Sequence, residues 1–267
     1  MVGDIVGRPG RAAVGELLPG LRSSLRIDRV VANGENAAAG RGLTDSTARE
    51  LFKAGVDVIT SGNHIFDVRE FVPSLELDWP VLRPANYSPG VPGRGVATVD
   101  GLMVISLMGR TFMPVIVDDP FRLADSLLAD AVTERVIVID FHAEATSEKQ
   151  AFAWYLDGRV SAVVGTHTHV PTADARVLPG GTAMVTDLGM VGVRDSVIGD
   201  DVASVIDRFL TGMPVRLPVA TGTHVIFNSV LIDVDDATGR AISIERVDRE
   251  CVLPAREREA RRVSIVR

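Results

Sequence analysis

Two histidines, His167 and His169, stand two residues apart in Gly-Thr-His-Thr-His, directly after the apolar run Val160-Ser161-Ala162-Val163-Val164. A short valine-rich run reads as a buried strand. On extended backbone, residues i and i+2 point to the same side. Two imidazoles aimed together at a strand end form a pair of metal ligands. Taken alone, the stretch reads equally as a polar turn with two solvated histidines.

The arrangement recurs along the chain. Val30-Val31-Ala32 leads into Asn33-Gly34-Glu35-Asn36, and Val56-Asp57-Val58-Ile59-Thr60 leads into Ser61-Gly62-Asn63-His64. Val136-Ile137-Val138-Ile139 leads into Asp140-Phe141-His142-Ala143-Glu144, and Met1-Val2-Gly3 leads into Asp4. In open α/β sheets the ligand crevice lies outside the carboxyl ends of the strands. Separate strands therefore deliver Asp4, Glu35, Asn36, Asn63, His64, His142, His167 and His169 to one rim. The chain has 5 histidines, and all but His224 stand in these places.

The donor set is carboxylate, carboxamide and imidazole, without a thiolate. Such sites suit Mn, Fe, Zn or Co. Asp4, Glu35, Asn36, Asn63, His142, His167 and His169 are too many for one tetrahedral zinc. They suit two ions about 3.5–4 Å apart, which clamp a phosphoryl group and activate a bridging hydroxide. A carboxylate is expected to bridge the pair, and Glu35 is the best candidate. Asn36 and Asn63, taken singly, also suit turns. His64 adjoins Asn63, and neighbours on extended backbone face opposite ways. A histidine beside a dimetal site, but not on it, is a general acid for a leaving alkoxide. His224, inside Thr223-His224-Val225-Ile226-Phe227 and without polar company, reads as structural. Asp187 falls near the same rim and reads as a support for the ligands. Arg8, Arg41, Arg83 and Arg194 are substrate-contact candidates, with surface ion pairing the plainer reading. Gly7-Arg8-Pro9-Gly10-Arg11 could open a helix toward phosphate, but it lacks the Gly-Lys-Ser/Thr of a Walker loop.

The elements that must position these residues follow from the pattern. Helical stretches alternate with the strands. Ser147 caps a helix over 148–157 with Gly158 after it, and Thr44 or Asp45 caps one running through Ala54 to Gly55. Pro120 to Ala131 is another, as is Pro9 to Leu25, which Pro19-Gly20 is expected to interrupt. This alternation argues for parallel βαβ units. Asp100-Gly101 marks a hairpin between 95–99 and 102–107. A second antiparallel pair, 223–234 with 241–247, flanks a turn at 235–239. Together they give two packed mixed sheets with helices outside. Residues 255–262 are a charged tail, read as a solvated helix or frayed end, with nucleic-acid contact the alternative.

The bulk numbers bound the function. A chain of 267 residues fits one α/β domain, taken here as 1–267. The net charge of −7 argues against a broad duplex-binding surface. It leaves room for a phosphate substrate, because bound ions dominate the local field. The single cysteine, Cys251, fits a reducing compartment. No signal-peptide pattern opens the chain and no apolar run approaches a membrane span. A cytoplasmic protein without membrane association is the expectation.

Gly-Asp-Ile-Val-Gly around Asp4, Gly-Glu-Asn, Gly-Asn-His, Asp-Phe-His-Ala-Glu and Gly-Thr-His-Thr-His-Val-Pro-Thr-Ala-Asp together resemble the YmdB-like family of calcineurin-type metallophosphoesterases. The resemblance runs from Asp4 to about Gly192. It implies a four-layer α-β-β-α sandwich, a dinuclear iron or manganese site, and homo-oligomers. It also implies phosphodiesterase activity on cyclic nucleotides, 2′,3′-cyclic ones included, with 3′,5′-cyclic ones an alternative. Carried over, the metal ligands are Asp4, Glu35, Asn36, Asn63, His142, His167 and His169, with Glu35 bridging, and His64 is the proton donor. The wider superfamily has Asp-x-His in its first motif, whereas Ile5 and Val6 follow Asp4, so one ion is expected to be held differently. A small-molecule phosphodiester is the expected partner, and nothing in the sequence supports RNA. The competing class is a regulatory or scaffold protein that keeps the fold with incidental catalysis. Met1 to Gly3 make less than the about 5–6 residues of a usual strand. Either the natural start lies upstream or the first strand is stunted.

Overall fold

The structure is a computed structural model that describes residues 1–131 and 134–254. The charged tail at 255–262 lies outside the described residues. In chain order, β1 (Asp4–Ile5), α1 (Gly7–Ser24), β2 (Val31–Asn33), α2 (Asp45–Lys53) and β3 (Val58–Thr60) come first, followed by a 3-10 helix (Arg69–Glu76). Next are β4 (Val96–Val99), β5 (Leu102–Met108), α3 (Pro120–Asp130), β6 (Val136–His142), α4 (Thr146–Tyr155) and β7 (Ala162–Thr166). The rest is β8 (Arg176–Val177), β9 (Ala183–Val185), β10 (Met190–Val193), α5 (Val202–Thr211), β11 (His224–Phe227), β12 (Val230–Val234), β13 (Ala241–Arg246) and β14 (Arg249–Val252).

The fold is mixed α/β. A six-stranded sheet runs β4-β5-β6-β7-β9-β8. Its centre is parallel and its two edge strands are antiparallel. A four-stranded sheet runs β1-β10-β11-β14, with β1 parallel to β10. The parallel pair β2-β3 joins β1 through Val2, which bridges Ala32 on one side and Ser229 on the other. The first strand is thus two residues long, with Val2 extending its pairing by single bridges.

Successive side chains of a strand leave on opposite faces. Here both faces are apolar. Met103, Ile105, Leu107, Ile137, Ile139 and Phe141 pack in one buried cluster with Phe152 and Ala153 of α4. The alternate residues Leu102, Val104, Val138, Ala162 and Val164 pack in another with Val31 and Val58. On the far side of β2 and β3, Ala32 and Ile59 join Val14 and Leu18 of α1 and Leu51 of α2. Strands buried on both faces read as continuous apolar runs, as the valine-rich stretches do.

Several local expectations hold. Thr44 caps α2 with Thr47 in a capping box, and Asp100 and Gly101 turn the β4–β5 hairpin with φ of 46° and 85°. Three are corrected. Pro19 lies inside α1, which continues through it; the helix is held by the buried face Ala13, Val14 and Leu18, so the lost backbone bond is outweighed by packing. α4 begins at Thr146 after Ala145, so Ser147 lies within the helix and does not cap it. The run 223–234 is two strands, because the chain leaves β11 at Asn228-Ser229 and pairs β12 with β13 in a separate ladder.

Candidate metal centre

The donors do converge. His142 is the last residue of β6, and its Nε2 lies 3.1 Å from Glu35 Oε1, 3.1 Å from Asn63 Oδ1 and 3.0 Å from His167 Nδ1. Glu35, His142 and His167 form a group that could hold a cation, with ligand atoms within 4.8 Å of one another. On the other side, Asp4 Oδ1 lies 3.9 Å from His142 Nδ1 and 3.8 Å from His169 Nε2. Asp4 opens β1 instead of following it. Glu35 and Asn36 sit in the turn after β2, and Asn63 and His64 after β3. Asp4, Glu35, Asn36 and His142 are buried, while Asn63, His64, His167 and His169 are partly open. Glu35, Asn36, His64, His167 and His169 line a cavity of about 710 Å³.

Close approach requires glycine at one point. A Cβ on Gly62 would lie 2.1 Å from His142 Cδ2, so only Gly62 lets the Asn63 loop reach His142. The histidine pair is not delivered as expected. β7 ends at Thr166, and His167 and His169 have φ of 98° and 64°, so they are not on extended backbone. Non-glycine residues in this region cost about 1–3 kcal/mol each and persist only where surroundings hold them. The holders are Asp4 Oδ2, which accepts from His167 N at 3.2 Å, and Asp187 Oδ2, which accepts from Thr168 N at 3.1 Å. Asp187 also accepts from Lys149 Nζ at 2.7 Å, with both side chains buried, and from Gly189 N at 2.8 Å.

The imidazoles are oriented from behind, which fixes the nitrogen each presents. His142 Nδ1 donates to Thr166 Oγ1 at 2.9 Å, and that hydroxyl donates to Asp140 Oδ1 at 2.7 Å. Asp140 also accepts from Asn33 Nδ2 at 3.0 Å and from Thr60 Oγ1. His169 Nδ1 donates to Ile198 O at 2.7 Å, leaving Nε2 toward Asp4. His167 Nε2 faces Glu144 Oε2 at 3.1 Å, leaving Nδ1 toward His142. His64 N donates to Glu35 Oε2 at 3.0 Å, and His64 Nδ1 pairs with Asp67 Oδ2 at 2.8 Å.

The electrostatics are those of a site built for positive charge. Burial pushes the Asp4 carboxyl up to about 7 despite His169 and His142. Burial also opposes charge on Glu35, but the facing His142 overrides it and holds Glu35 at about 2. Burial works against charge on His142 too, yet Glu35 and Asp4 raise it to about 9. Burial and the neighbouring His142 lower His167 to about 3. His142 thus keeps a proton where Glu35, Asn63 and His167 aim lone pairs. Among the described residues, Asp4 Oδ1 and Asn36 Oδ1 are buried without a hydrogen-bond partner. Buried oxygens left bare cost free energy and call for an unseen ion or water. The donor chemistry and the two bare oxygens fit metal ions.

Sequence reasoning missed Asp67, Asp140, Glu144, Lys149 and Thr166, all of which act through a ligand or its loop. Asp67 had a signal, three residues after His64 in Gly-Asn-His-Ile-Phe-Asp. Asp187 supports the ligand loop as expected. Arg83 binds the carbonyls of Pro84 and Pro92, and Arg194 pairs with Glu250. Neither lines the cavity, nor does Arg8, whereas Arg41 does. His224 has polar company after all, since its Nε2 lies 2.9 Å from Glu250 Oε2.

Comparison with known proteins gives concordant results. A family profile described as YmdB-like protein matches residues 1–247. The 2′,3′-cyclic-nucleotide 2′-phosphodiesterase of Bacillus subtilis is 49% identical over 251 residues, spanning 92% of this chain and 94% of that protein. A hypothetical protein of Thermus thermophilus has a crystal structure with TM-score 0.87 and 46% identity, over 93% of this chain and 97% of that one. The crystal structure of a novel phosphatase from Mycoplasma pneumoniae superposes with TM-score 0.88 and 32% identity, over 95% and 93% of the two chains.

Proposed function

The chain belongs to the YmdB-like family, and from that premise we propose that it is a metal-dependent phosphodiesterase hydrolysing 2′,3′-cyclic nucleotides. The observation that carries the reading is the convergence of seven N/O donors beside one cavity, two of them with bare buried oxygens. One group would be held by Asn63, His142 and His167, a second by Asp4, Asn36 and His169, with Glu35 between them. Two transition-metal ions, when bound, supply Lewis-acid charge for the phosphoryl oxygens and lower the pKa of water. Iron or manganese, a homo-oligomeric state and a cytoplasmic location belong to the same proposal. Among the described residues, no helix is long and apolar enough to cross a membrane. The three apolar clusters, each lying between a pair of layers, support a four-layer α-β-β-α sandwich and one domain.

The rest is the work of this chain's own side chains. Hydrolysis to a 3′-phosphate breaks the bond between phosphorus and the ribose 2′ oxygen, as water adds its oxygen to phosphorus. The departing 2′ alkoxide is strongly basic and takes up a proton. His64 lines the cavity, and Asp67 holds its Nδ1, leaving Nε2 to give that proton. The bond from His64 N to Glu35 ties the acid to the proposed bridging carboxylate. The test is a screen of metal-reconstituted protein against 2′,3′-cyclic nucleotides, 3′,5′-cyclic nucleotides, linear diesters and monoesters. Preferential turnover of 2′,3′-cyclic substrates to 3′-phosphates is expected. Turnover of monoesters alone, or of none, overturns the reading.

A further inference from the structure

The cavity, about 710 Å³, is larger than a cyclic phosphate alone needs, and its wall carries arginines as well as Glu144 and Asp200. Beyond the donors it is lined by Arg41, from the loop after β2, by Arg208 of α5, and by Arg216, from the segment after α5. None of the three guanidinium groups makes a hydrogen bond or ion pair with any other described residue. Several arginines of this chain are tied up, Arg11 on Glu50, Arg22 on Asp57 and Arg246 on Asp248, whereas these three share one cavity. Asp200 also lines the cavity. Its burial raises its pKa, against the pull of Arg41, His169 and Arg208. Asp200 therefore offsets part of the charge of Arg41 and Arg208. The wall also carries the apolar side chains Val6, Ala39, Ile198, Val215 and Leu217.

The three guanidinium groups are exposed and share one cavity, so an anion entering it can engage them. Guanidinium is the side chain best matched to phosphate oxygens. In a 2′,3′-cyclic nucleotide the scissile phosphate occupies one edge of the ribose, and the other oxygen that nucleotides esterify is the 5′ oxygen, across the ring. Apolar residues on the same wall suit the nucleoside that would join the two phosphates.

We propose that Arg216, with Arg208 and Arg41, forms a second phosphate subsite, so that the preferred substrate is a 2′,3′-cyclic phosphate whose nucleoside also carries a phosphate on its 5′ oxygen. This rests on the phosphodiesterase reading above and narrows its substrate class. The 5′ phosphate has two sources: a free 5′-phosphorylated cyclic nucleotide, or the last internucleotide linkage of an RNA strand ending in a cyclic phosphate.

The experiment compares three substrates of the metal-loaded enzyme: adenosine 2′,3′-cyclic phosphate, its 5′-phosphorylated form, and a diadenylate ending in the 2′,3′-cyclic phosphate. Alongside it, calorimetry compares binding of adenosine 3′-phosphate and adenosine 3′,5′-bisphosphate. A charge-assisted contact predicts that the second phosphate raises kcat/KM about tenfold or more, chiefly through KM. The bisphosphate binds tighter by a similar factor. Arg216→Ala collapses both ratios toward one, Arg208→Ala does so in part, and Arg216→Lys recovers some of the gain. A diadenylate preferred over the 5′-phosphorylated mononucleotide assigns the source to RNA ends; the mononucleotide preferred over the diadenylate assigns it to the free nucleotide, and equal rates show a subsite that accepts both. Ratios near one in the unmutated protein, or ratios that survive Arg216→Ala, overturn the subsite and leave the phosphodiesterase standing. A bisphosphate preference that depends on Arg216 without turnover of any cyclic substrate keeps the subsite and overturns the phosphodiesterase.

Discussion

The two sides of the metal centre are built differently. Around His142, the nitrogens and oxygens of Glu35, Asn63 and His167 stand at 3.0–3.1 Å and are propped from behind by Thr166, Asp140 and Glu144. Around Asp4, the neighbouring histidine nitrogens are 3.8–3.9 Å away, and Asp4 Oδ1 and Asn36 Oδ1 bond to nothing. The packed side is satisfied by its own protons and must release one to accept a cation. The open side is unsatisfied by itself and waits for its charge from outside. Close packing and unmet hydrogen-bonding capacity are thus divided between the two sides, and on the proposed dinuclear reading Glu35 is the side chain common to them.

The comparison is broken most severely at Glu35. Glu35→Ala removes the shared carboxylate and the acceptor of His64 N, so both ions and all turnover are expected to go. Metal analysis that finds one ion retained would show that Glu35 serves the packed side alone. Next comes His64→Ala. Losing a general acid costs about 10²–10⁴ in rate, while metal content stays near that of the parent. A nitrophenyl ester, whose leaving group needs no proton, is expected to lose far less. Loss of metal in this variant would make His64 a ligand and count it with the packed side.

Lys149→Met leaves Asp187 buried and unpaired beneath the His167–His169 loop. Breaking such a pair costs about 3–5 kcal/mol, which denaturant unfolding of the metal-free protein would measure. An unchanged midpoint would mean the loop is held by Asp4 instead. The smallest effect is expected from Thr166→Val, which removes the hydroxyl behind His142. Loss of such an outer partner costs about 10–100-fold in metal affinity. One binding step is expected to weaken and the other to stay, as read by stepwise metal titration. Equal weakening of both steps would erase the distinction between the sides.

The grouping of these donors was legible because each stands in a short local motif. All but Asp4 stand at or just after a strand end, and valine-rich runs mark those ends. The hairpin at Asp100-Gly101 and the cap at Thr44 were equally plain, since one or two residues specify each. What escaped was non-local. Asp140 stands in the motif around His142, but its role depends on Asn33 and Thr60, far away in the chain. Lys149 reads as one polar residue of a helix until Asp187 is opposite it. The run 223–234 looks continuous because both of its strands are apolar, and only its partners, β10 and β14 against β13, divide it. Pro19 failed as a breaker for the same reason, because the buried face of α1 is set by strands distant in sequence.

The left-handed backbones of His167 and His169 bear on how this protein could be improved. Glycine adopts those angles freely, so a search for sturdier variants would be drawn to both positions, where relief is worth about 1–3 kcal/mol each. Each gain would delete an imidazole. Selection for heat resistance and selection for turnover therefore pull the same two codons in opposite directions, and a variant hardened at this loop is expected to have traded its chemistry for it.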